Sequence, residues 1–494
     1  MTTVTVNFSQ AMLATLEAHR TARPTASLAG EVGKFITAGA NFTAAHSTYA
    51  TGSLAGPDGY LDYPDGAFQT LAGLVNTNPG AASGNFSAGS LEEHVSGSYR
   101  LVYDGQLNFG YTSNASGGLL LANKGGTFST LTLQQLVTSG ATGYDSTIGN
   151  TVLKAHGAIV SDGNIFSGVV DTLTRTTELF EQGGRITGTF NISGNATAIG
   201  QGTASATVSG TLTDYAQYYV DGSSALISGA SMAVTGSTVP NEQQLLANAA
   251  NFAGNDVISV SLPAIVNTNW LVAAGDGNDR ISVTGGGARL SVNAGTGRDS
   301  IVLGDNGHAV NGGEGIDTVV LAGNRAAYTV TGVAGGYTVG AAAGGAVNTL
   351  TGVERIQFAD SSLALDVDAS GSAGQIFRLF QSAFNRAPAA GGLGFWLQAM
   401  DNGYSLEQIA DSFTRTPEFL NLYGSITNLD TLVTGLYVNT LDRQPDAEGK
   451  AFWMNGLAAG VSVAQVMLGF SESLESQALN AGLIANGFAY TPYG

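Results

Sequence analysis

Three short stretches of this 494-residue chain share one pattern. They are Ala274-Gly275-Asp276-Gly277-Asn278-Asp279, Ala294-Gly295-Thr296-Gly297-Arg298-Asp299 and Gly312-Gly313-Glu314-Gly315-Ile316-Asp317. Each reads small residue, Gly, any residue, Gly, any residue, Asp. Two positions after each Asp stands a β-branched aliphatic: Ile281, Ile301 or Val319. The steps between aspartates are 20 residues (279 to 299) and 18 residues (299 to 317). Glycine at the second and fourth positions lets the backbone take positive φ and turn sharply. The aliphatic then starts a short strand and points inward while its neighbours face solvent. Repeating such a unit about every nine residues stacks turn on turn and strand on strand.

The turns also collect oxygen. A sharply turned backbone presents carbonyls inward, and the Asp adds a carboxylate. Ca²⁺ takes about six to eight oxygens, more than one tight turn offers. Two stacked turns suffice if one coil is about two nonapeptides long. The expected metal-binding residues are Gly275, Asp276, Gly277, Asp279, Gly295, Gly297, Asp299, Gly313, Gly315 and Asp317. Asp256, in Ala253-Gly254-Asn255-Asp256-Val257-Ile258, joins them with a less complete pattern and a longer step of 23 residues to Asp279. Nine residues after Asp279 lies Ala288, and nine after Asp299 lies His308. One flank should therefore carry an Asp column and the other should be weak or metal-free. Two good sites are expected, between Asp279 and Asp299 and between Asp299 and Asp317.

These residues resemble the RTX family, the haemolysin-type glycine-rich calcium repeats of secreted bacterial proteins. The family pattern is Gly-Gly-x-Gly-x-Asp-x-aliphatic-x, and Ala274 and Ala294 depart from it at the first Gly. The resemblance implies a parallel β-roll, Ca²⁺ as the bound ion, and an extracellular location. It also implies export by type I secretion machinery, which reads an uncleaved C-terminal signal. The first residues, Met1-Thr2-Thr3-Val4-Thr5-Val6-Asn7-Phe8, lack the basic start and apolar core of a cleavable signal peptide.

Composition fits. The formal net charge is −19, from 18 Lys plus Arg against 37 Asp plus Glu. Such a chain repels nucleic-acid phosphates and suits cation recruitment. The 70 glycines are about twice the usual share of ~7 %, so many turns are expected. There is no cysteine, hence no disulfide framework. No run of about 18 apolar residues marks a transmembrane helix.

The fold class expected is multidomain. Residues 1–238 read as a mainly β N-terminal domain with minor helix, 245–322 as the β-roll, 323–370 as its strand-rich cap, and 371–494 as an all-α domain. Helix is expected over 9–37, at Leu131-Gln135-Leu136, and from Asn241 through Asn248. Ser98–Tyr103 reads as a strand, Asp104-Gly105 as a hairpin signal, and Leu107–Tyr111 as the return. Glu92-Glu93-His94 with Asp162 is a conceivable site that nothing in the spacing requires. The Ser/Thr-rich stretch 203–213 reads as a solvated strand face.

The last 120 residues repeat with a period of 57. Arg386 matches Arg443, Pro388 matches Pro445, Phe395-Trp396 matches Phe452-Trp453, Ser405 matches Ser462, and Glu418 matches Glu475. Each unit reads as a helix ending near Asn-Arg or Asp-Arg, a Pro-started helix carrying Phe-Trp, and a Ser-capped helix. The pair resembles a helical module of unknown function common near the C-terminus of RTX-type proteins. Related units in surface-layer proteins imply cell-surface polysaccharide as a candidate partner; self-assembly through the N-terminal sheet is a separate possibility. Trp396 and Trp453 beside Arg386 and Arg443 would make a sugar platform. The favoured expectation is that both Trp fill the core and the Arg meets carbonyls.

The sequence thus points to a secreted calcium-binding surface or extracellular-matrix protein whose N-terminal domain binds or assembles. The alternative is a secreted hydrolase, such as a carboxylate-pair glycosidase, which needs no sequence motif. No His-Glu-x-x-His, Gly-x-Ser-x-Gly or P-loop motif is present.

Overall fold

The structure, a computed structural model, describes residues 1–11, 38–39, 41–95, 98–135, 151–161, 165–177, 181–195, 205–219, 221–235, 242–263, 270–284, 289–304, 307–424 and 428–493. It is mainly β in its N-terminal and central parts and helical at its C-terminal end. Two compact units emerge. One holds 1–276 and 284–288, the other 277–283 and 289–494. Most of the helix expected over 9–37 lies outside the described residues.

The first unit is built on an antiparallel meander. Ser83–Val95, Tyr99–Ser113, Leu119–Gln135, Thr151–Ser161, Ile165–Thr177, Glu181–Asn195 and Ser205–Tyr219 pair in chain order. Alternation explains the pairing face: Leu101, Tyr103, Leu107, Phe109 and Tyr111 are buried, whereas Arg100, Asp104 and Asn108 between them are exposed. Two local expectations fail here. Asp104-Gly105 does not turn a hairpin, because Tyr99–Ser113 is one strand that absorbs Gly105 in a bulge. A Cβ on Gly105 would stand 2.3 Å from the Phe128 Cα, so only glycine lets the neighbouring strand approach. Leu131-Gln135 is strand rather than helix: Leu131 and Leu133 are buried, with Thr132 and Gln134 less so. The period of two decides it, since both neighbouring strands pair there. Leu136 lies outside the described residues.

Strand Thr3–Asn7 closes this unit. It pairs antiparallel with Ser224–Ser228 and parallel with Val257–Ser261, burying Val4 and Val6. Glu242–Leu246 forms the short helix expected near 241–248, with Leu245 and Leu246 inside; Asn241 lies outside the described residues.

The second unit contains two parallel ladders. In one, Arg280–Thr284 pairs Ser300–Leu303, which pairs Thr318–Val320, which pairs Arg355–Gln357. Ile281, Ile301, Val319 and Ile356 lie in register along it, each 0 % exposed. In the other, Leu290–Gly297, Ala309–Gly315 and Val347–Thr351 align Val292, Val310 and Leu350 inward. The strand segment that follows continues both ladders antiparallel. Gly336–Ala341 pairs onto Val347–Thr351, and Tyr328–Val333 pairs onto Gly336–Ala341. Ser362–Ala364 pairs onto Arg355–Gln357, and the distant Phe488–Tyr490 pairs onto Ser362–Ala364.

The 57-residue repeat becomes two sets of four helices. The first is Ser372–Phe384, Ala390–Asp401, Leu406–Thr414 and Pro417–Tyr423; the second is Leu429–Leu441, Ala447–Ala458, Val463–Ser471 and Leu474–Ile484. Asn385 and Asp442 end matching helices at φ 51° and 52°. Ser405 with Gln408 and Ser462 with Gln465 form matching capping boxes. Pro388 and Pro445 lie just ahead of their helices, which are capped by Ala389 and Asp446. The fourth helix of each set, opened by the Thr416 and Ser473 side chains, goes beyond the three read from sequence.

Candidate metal centre

The glycines expected to turn the chain do so. Gly275, Gly277, Gly295, Gly297, Gly313 and Gly315 all have φ between 92° and 134°. Their missing side chains also let turns stack. A Cβ on Gly297 would stand 2.0 Å from the Gly277 carbonyl oxygen, one on Gly313 1.8 Å from that of Gly295, and one on Gly315 1.7 Å from that of Gly297. Any side chain there would push successive turns apart.

Within the second unit the aspartates are linked by a regular hydrogen-bond ladder. The Asp279 N–H donates to Asp299 Oδ1 at 2.7 Å, and the Asp299 N–H donates to Asp317 Oδ1 at 2.9 Å. Asp279, Asp299 and Asp317 are all buried. The second carboxylate oxygens of Asp299 and Asp317 are buried with no hydrogen-bond partner among the described residues. Burial raises the pKa of Asp299, and that of Asp317 is pushed to about 7 by burial and then by the charges of Asp299 and Glu354. A buried carboxylate with an open lone pair is costly unless something positive meets it.

The donor set fits a hard, oxygen-seeking cation. Among the described residues no three His, Cys, Asp or Glu side chains gather closely enough to hold a metal by themselves. Each turn brings one carboxylate, so further oxygens must come from the stacked backbone carbonyls, as Ca²⁺ accepts.

In the first unit Asp256 is buried at the start of Val257–Ser261, and its Oδ1 accepts the Thr2 N–H. Thr2 precedes Thr3–Asn7, the strand parallel to Val257–Ser261, so this contact has the same form as the Asp ladder. Asp276 is exposed, and its carbonyl accepts the Gly254 N–H at 2.7 Å.

On the opposite flank the acceptors described are neutral side chains. The Leu290 N–H donates to His308 Nδ1 at 3.2 Å, and the His308 N–H donates to Asn348 Oδ1 at 2.7 Å. His308 is fully buried, and burial lowers its pKa. An accepting Nδ1 places the proton of the neutral ring on Nε2. Imidazole and amide thus serve as acceptors where the other flank uses carboxylates. Ala288 lies outside the described residues.

Sequence reasoning missed Glu354. Its Oε2 accepts the Asp317 N–H at 2.8 Å, taking the next position of the column. The stretch Thr351-Gly352-Val353-Glu354 has one Gly and no Asp, so only the strand register reveals it.

The other candidates disperse. Glu92 faces outward and accepts from Arg100 at 2.5 and 2.8 Å. Glu93 points inward to Gln69 and Tyr103. His94 stacks on Phe68, with ring centroids 4.5 Å apart. Successive strand residues take opposite faces, so the three do not converge; Asp162 lies outside the described residues. In the helical sets Trp396 and Trp453 pack on the core, each 5.1 Å from Phe413 or Phe470. Arg386 and Arg443 bond the carbonyls of Ala387 and Gln444 and the carboxylates of Glu418 and Glu475. Neither pair offers an open Trp face beside a free cation.

Residues 410–480 match the model of one protein family, a domain of unknown function (DUF4214). No curated protein and no solved structure matches the chain.

Proposed function

We propose that this chain is a secreted, calcium-binding surface or extracellular-matrix protein of the RTX type. The paired parallel ladders would be its β-roll, and the roll would fold on Ca²⁺ after type I export. The N-terminal sheet would bind or assemble, and the helical tail would complete the molecule. One observation carries the calcium reading: the hydrogen-bonded ladder Asp279, Asp299, Asp317, whose last two members keep a buried carboxylate oxygen without a hydrogen-bond partner among the described residues. Asp279, Asp299 and Asp317 would give carboxylates, and in the first unit Asp256 would give one of its own. The turns at Gly275–Gly277, Gly295–Gly297 and Gly313–Gly315 would give carbonyls. Bound Ca²⁺ would supply the positive charge these oxygens lack.

The ion would thereby drive folding. Without it the Asp299 and Asp317 carboxylates oppose each other in a desolvated place, which disfavours stacking of the turns. With it, binding becomes folding free energy. Extracellular modules bind calcium at about 10⁻⁴–10⁻³ M, so low concentrations would leave the turns unstacked and millimolar concentrations would close them.

Far-UV circular dichroism of the full chain, first in EDTA and then in millimolar Ca²⁺, tests this. The expected result is a gain of β signal that Asp299→Ala weakens strongly. An identical spectrum in both conditions sinks the proposal.

A further inference from the structure

We propose that the carboxylate column holds one more cation position than the glycine–aspartate repeats encode, formed by Asp317, Glu354 and carbonyls of the turns that carry them. This rests on the calcium reading above and extends it to a residue outside every repeat.

Register gives the first argument. Thr318 pairs with Arg355, so Glu354 stands beyond Asp317 as Asp317 stands beyond Asp299. The backbone repeats the ladder: 2.7 Å from Asp279 N to Asp299, 2.9 Å from Asp299 N to Asp317, and 2.8 Å from Asp317 N to Glu354. The last turn is shorter. Asn311 to Thr318 is seven steps, whereas their partners Thr351 and Arg355 are four apart. Glutamate's extra methylene supplies reach that a shorter turn needs.

The glycines give the second argument. The first position of the pattern is Ala274 or Ala294 in two copies and Gly312 in the third. A Cβ on Gly312 would stand 2.0 Å from the Gly352 carbonyl oxygen and 2.5 Å from Asp317 Oδ2. The space that alanine would fill is therefore bordered by a carbonyl and a carboxylate oxygen. Gly352 itself has φ 54°, and a Cβ there would meet Gly313 N at 3.0 Å and its carbonyl oxygen at 3.1 Å. The repeat turn and the shorter turn thus approach backbone to backbone, as the repeat turns do with each other.

Charge gives the third. Asp317 is fully buried, its Oδ2 has no hydrogen-bond partner among the described residues, and Glu354 and Asp299 repel it. Arg355 eases the charge of Glu354 only in part, since burial still raises that carboxyl, and its guanidinium bonds Asp366 and the Glu354 carbonyl. Two carboxylates held this way call for a cation with oxygen-rich coordination.

The test counts ions. Calorimetric titration and native mass spectrometry with Ca²⁺ alone compare the full chain with Glu354→Gln and Glu448→Gln. Glutamine keeps an acceptor for the Asp317 N–H and loses the charge, so E354Q should fold and bind one ion fewer. Glu448 is exposed on helix Ala447–Ala458, and E448Q should match the wild type. An unchanged count in E354Q overturns this proposal and leaves the calcium reading intact. A wild type that binds no calcium overturns both. If E354Q fails to fold by circular dichroism, a calcium-loaded crystal of the wild type decides. An ion within about 2.3–2.6 Å of oxygens from both Asp317 and Glu354 supports the site, and its absence there overturns it.

Discussion

Glu93 is a carboxyl group turned into the buried side of the N-terminal sheet. Gln69 Nε2 donates to it at 3.2 Å and Tyr103 OH at 3.4 Å, and burial first, then the Glu93 charge, raises the pKa values of Tyr63, Tyr99 and Tyr103. Burial pushes its own pKa from 4.5 to about 8. A carboxyl raised on folding binds more protons folded than unfolded between those values. Its contribution to stability is full below about pH 4.5 and is lost as pH rises through about 8. Urea midpoints of the wild type should therefore fall between about pH 5 and 8, and those of Glu93→Gln should fall less. Parallel pH profiles for the two proteins would falsify the assignment. The repeat glycines differ from Glu93 in legibility. Positive φ is a property of one residue, so Gly297 or Gly315 announces its turn. A buried glutamate between Glu92 and His94 announces nothing until the strand's facing is known. Glu354 is hidden for a related reason: its role comes from the residue beside it across the ladder, not from its neighbours in the chain.

Elements show where a local signal is outvoted. Asp104-Gly105 is a good hairpin dipeptide, yet Tyr99–Ser113 runs through it with partners on both sides. Hydrogen bonds along two neighbouring strands outweigh one turn preference, and glycine lowers the cost of the bulge. The helical repeat is the opposite case, because its signals are local and agree. Arg386 Nε meets Glu418 Oε1 at 2.6 Å and Arg443 Nε meets Glu475 Oε1 at 2.6 Å; the second bonds are 3.0 Å in both. Each guanidinium also lies within 6 Å of an aromatic ring, Phe380 and Phe384 for Arg386 and Tyr437 for Arg443. These partners are half-exposed, so each Arg→Ala change should cost about 1 kcal/mol. Thermal melts of Arg386→Ala and Arg443→Ala should agree within about 0.5 kcal/mol. A gap of about 2 kcal/mol would mean that the two sets are not energetic equivalents. The repeats diverge in what covers them: Phe395 is 40 % exposed under Tyr493, whereas its match Phe452 is 67 % exposed. A Cβ on Gly394 would collide with the Thr491 carbonyl oxygen at 1.8 Å, so glycine admits the tail there. The matching residue is Ala451.

At the scale of the whole molecule, the decisive contacts join distant segments. Thr3–Asn7 lies between Ser224–Ser228 and Val257–Ser261 and places the Thr2 N–H on Asp256. Deleting residues 1–7 should lower the urea midpoint of the first unit markedly, since burial of Val4 and Val6 alone is worth about 3–6 kcal/mol. An unchanged midpoint would show that the strand is dispensable. Phe488–Tyr490 likewise adds to Ser362–Ala364 from the far end of the chain. By itself the sequence determined the features whose causes are local. These are the glycine turns, the aliphatic after each Asp, the acidic column, the Ser caps and the 57-residue helical period. Tertiary structure alone decided the rest: Glu354 at the end of the column, Thr3–Asn7 beside Val257–Ser261, and the acceptor roles of His308 and Asn348 on the other flank. Turn geometry is set within a few residues by φ and hydrogen bonding. Strand partnership and burial are set by residues tens to hundreds of positions away, and no local pattern carries that information.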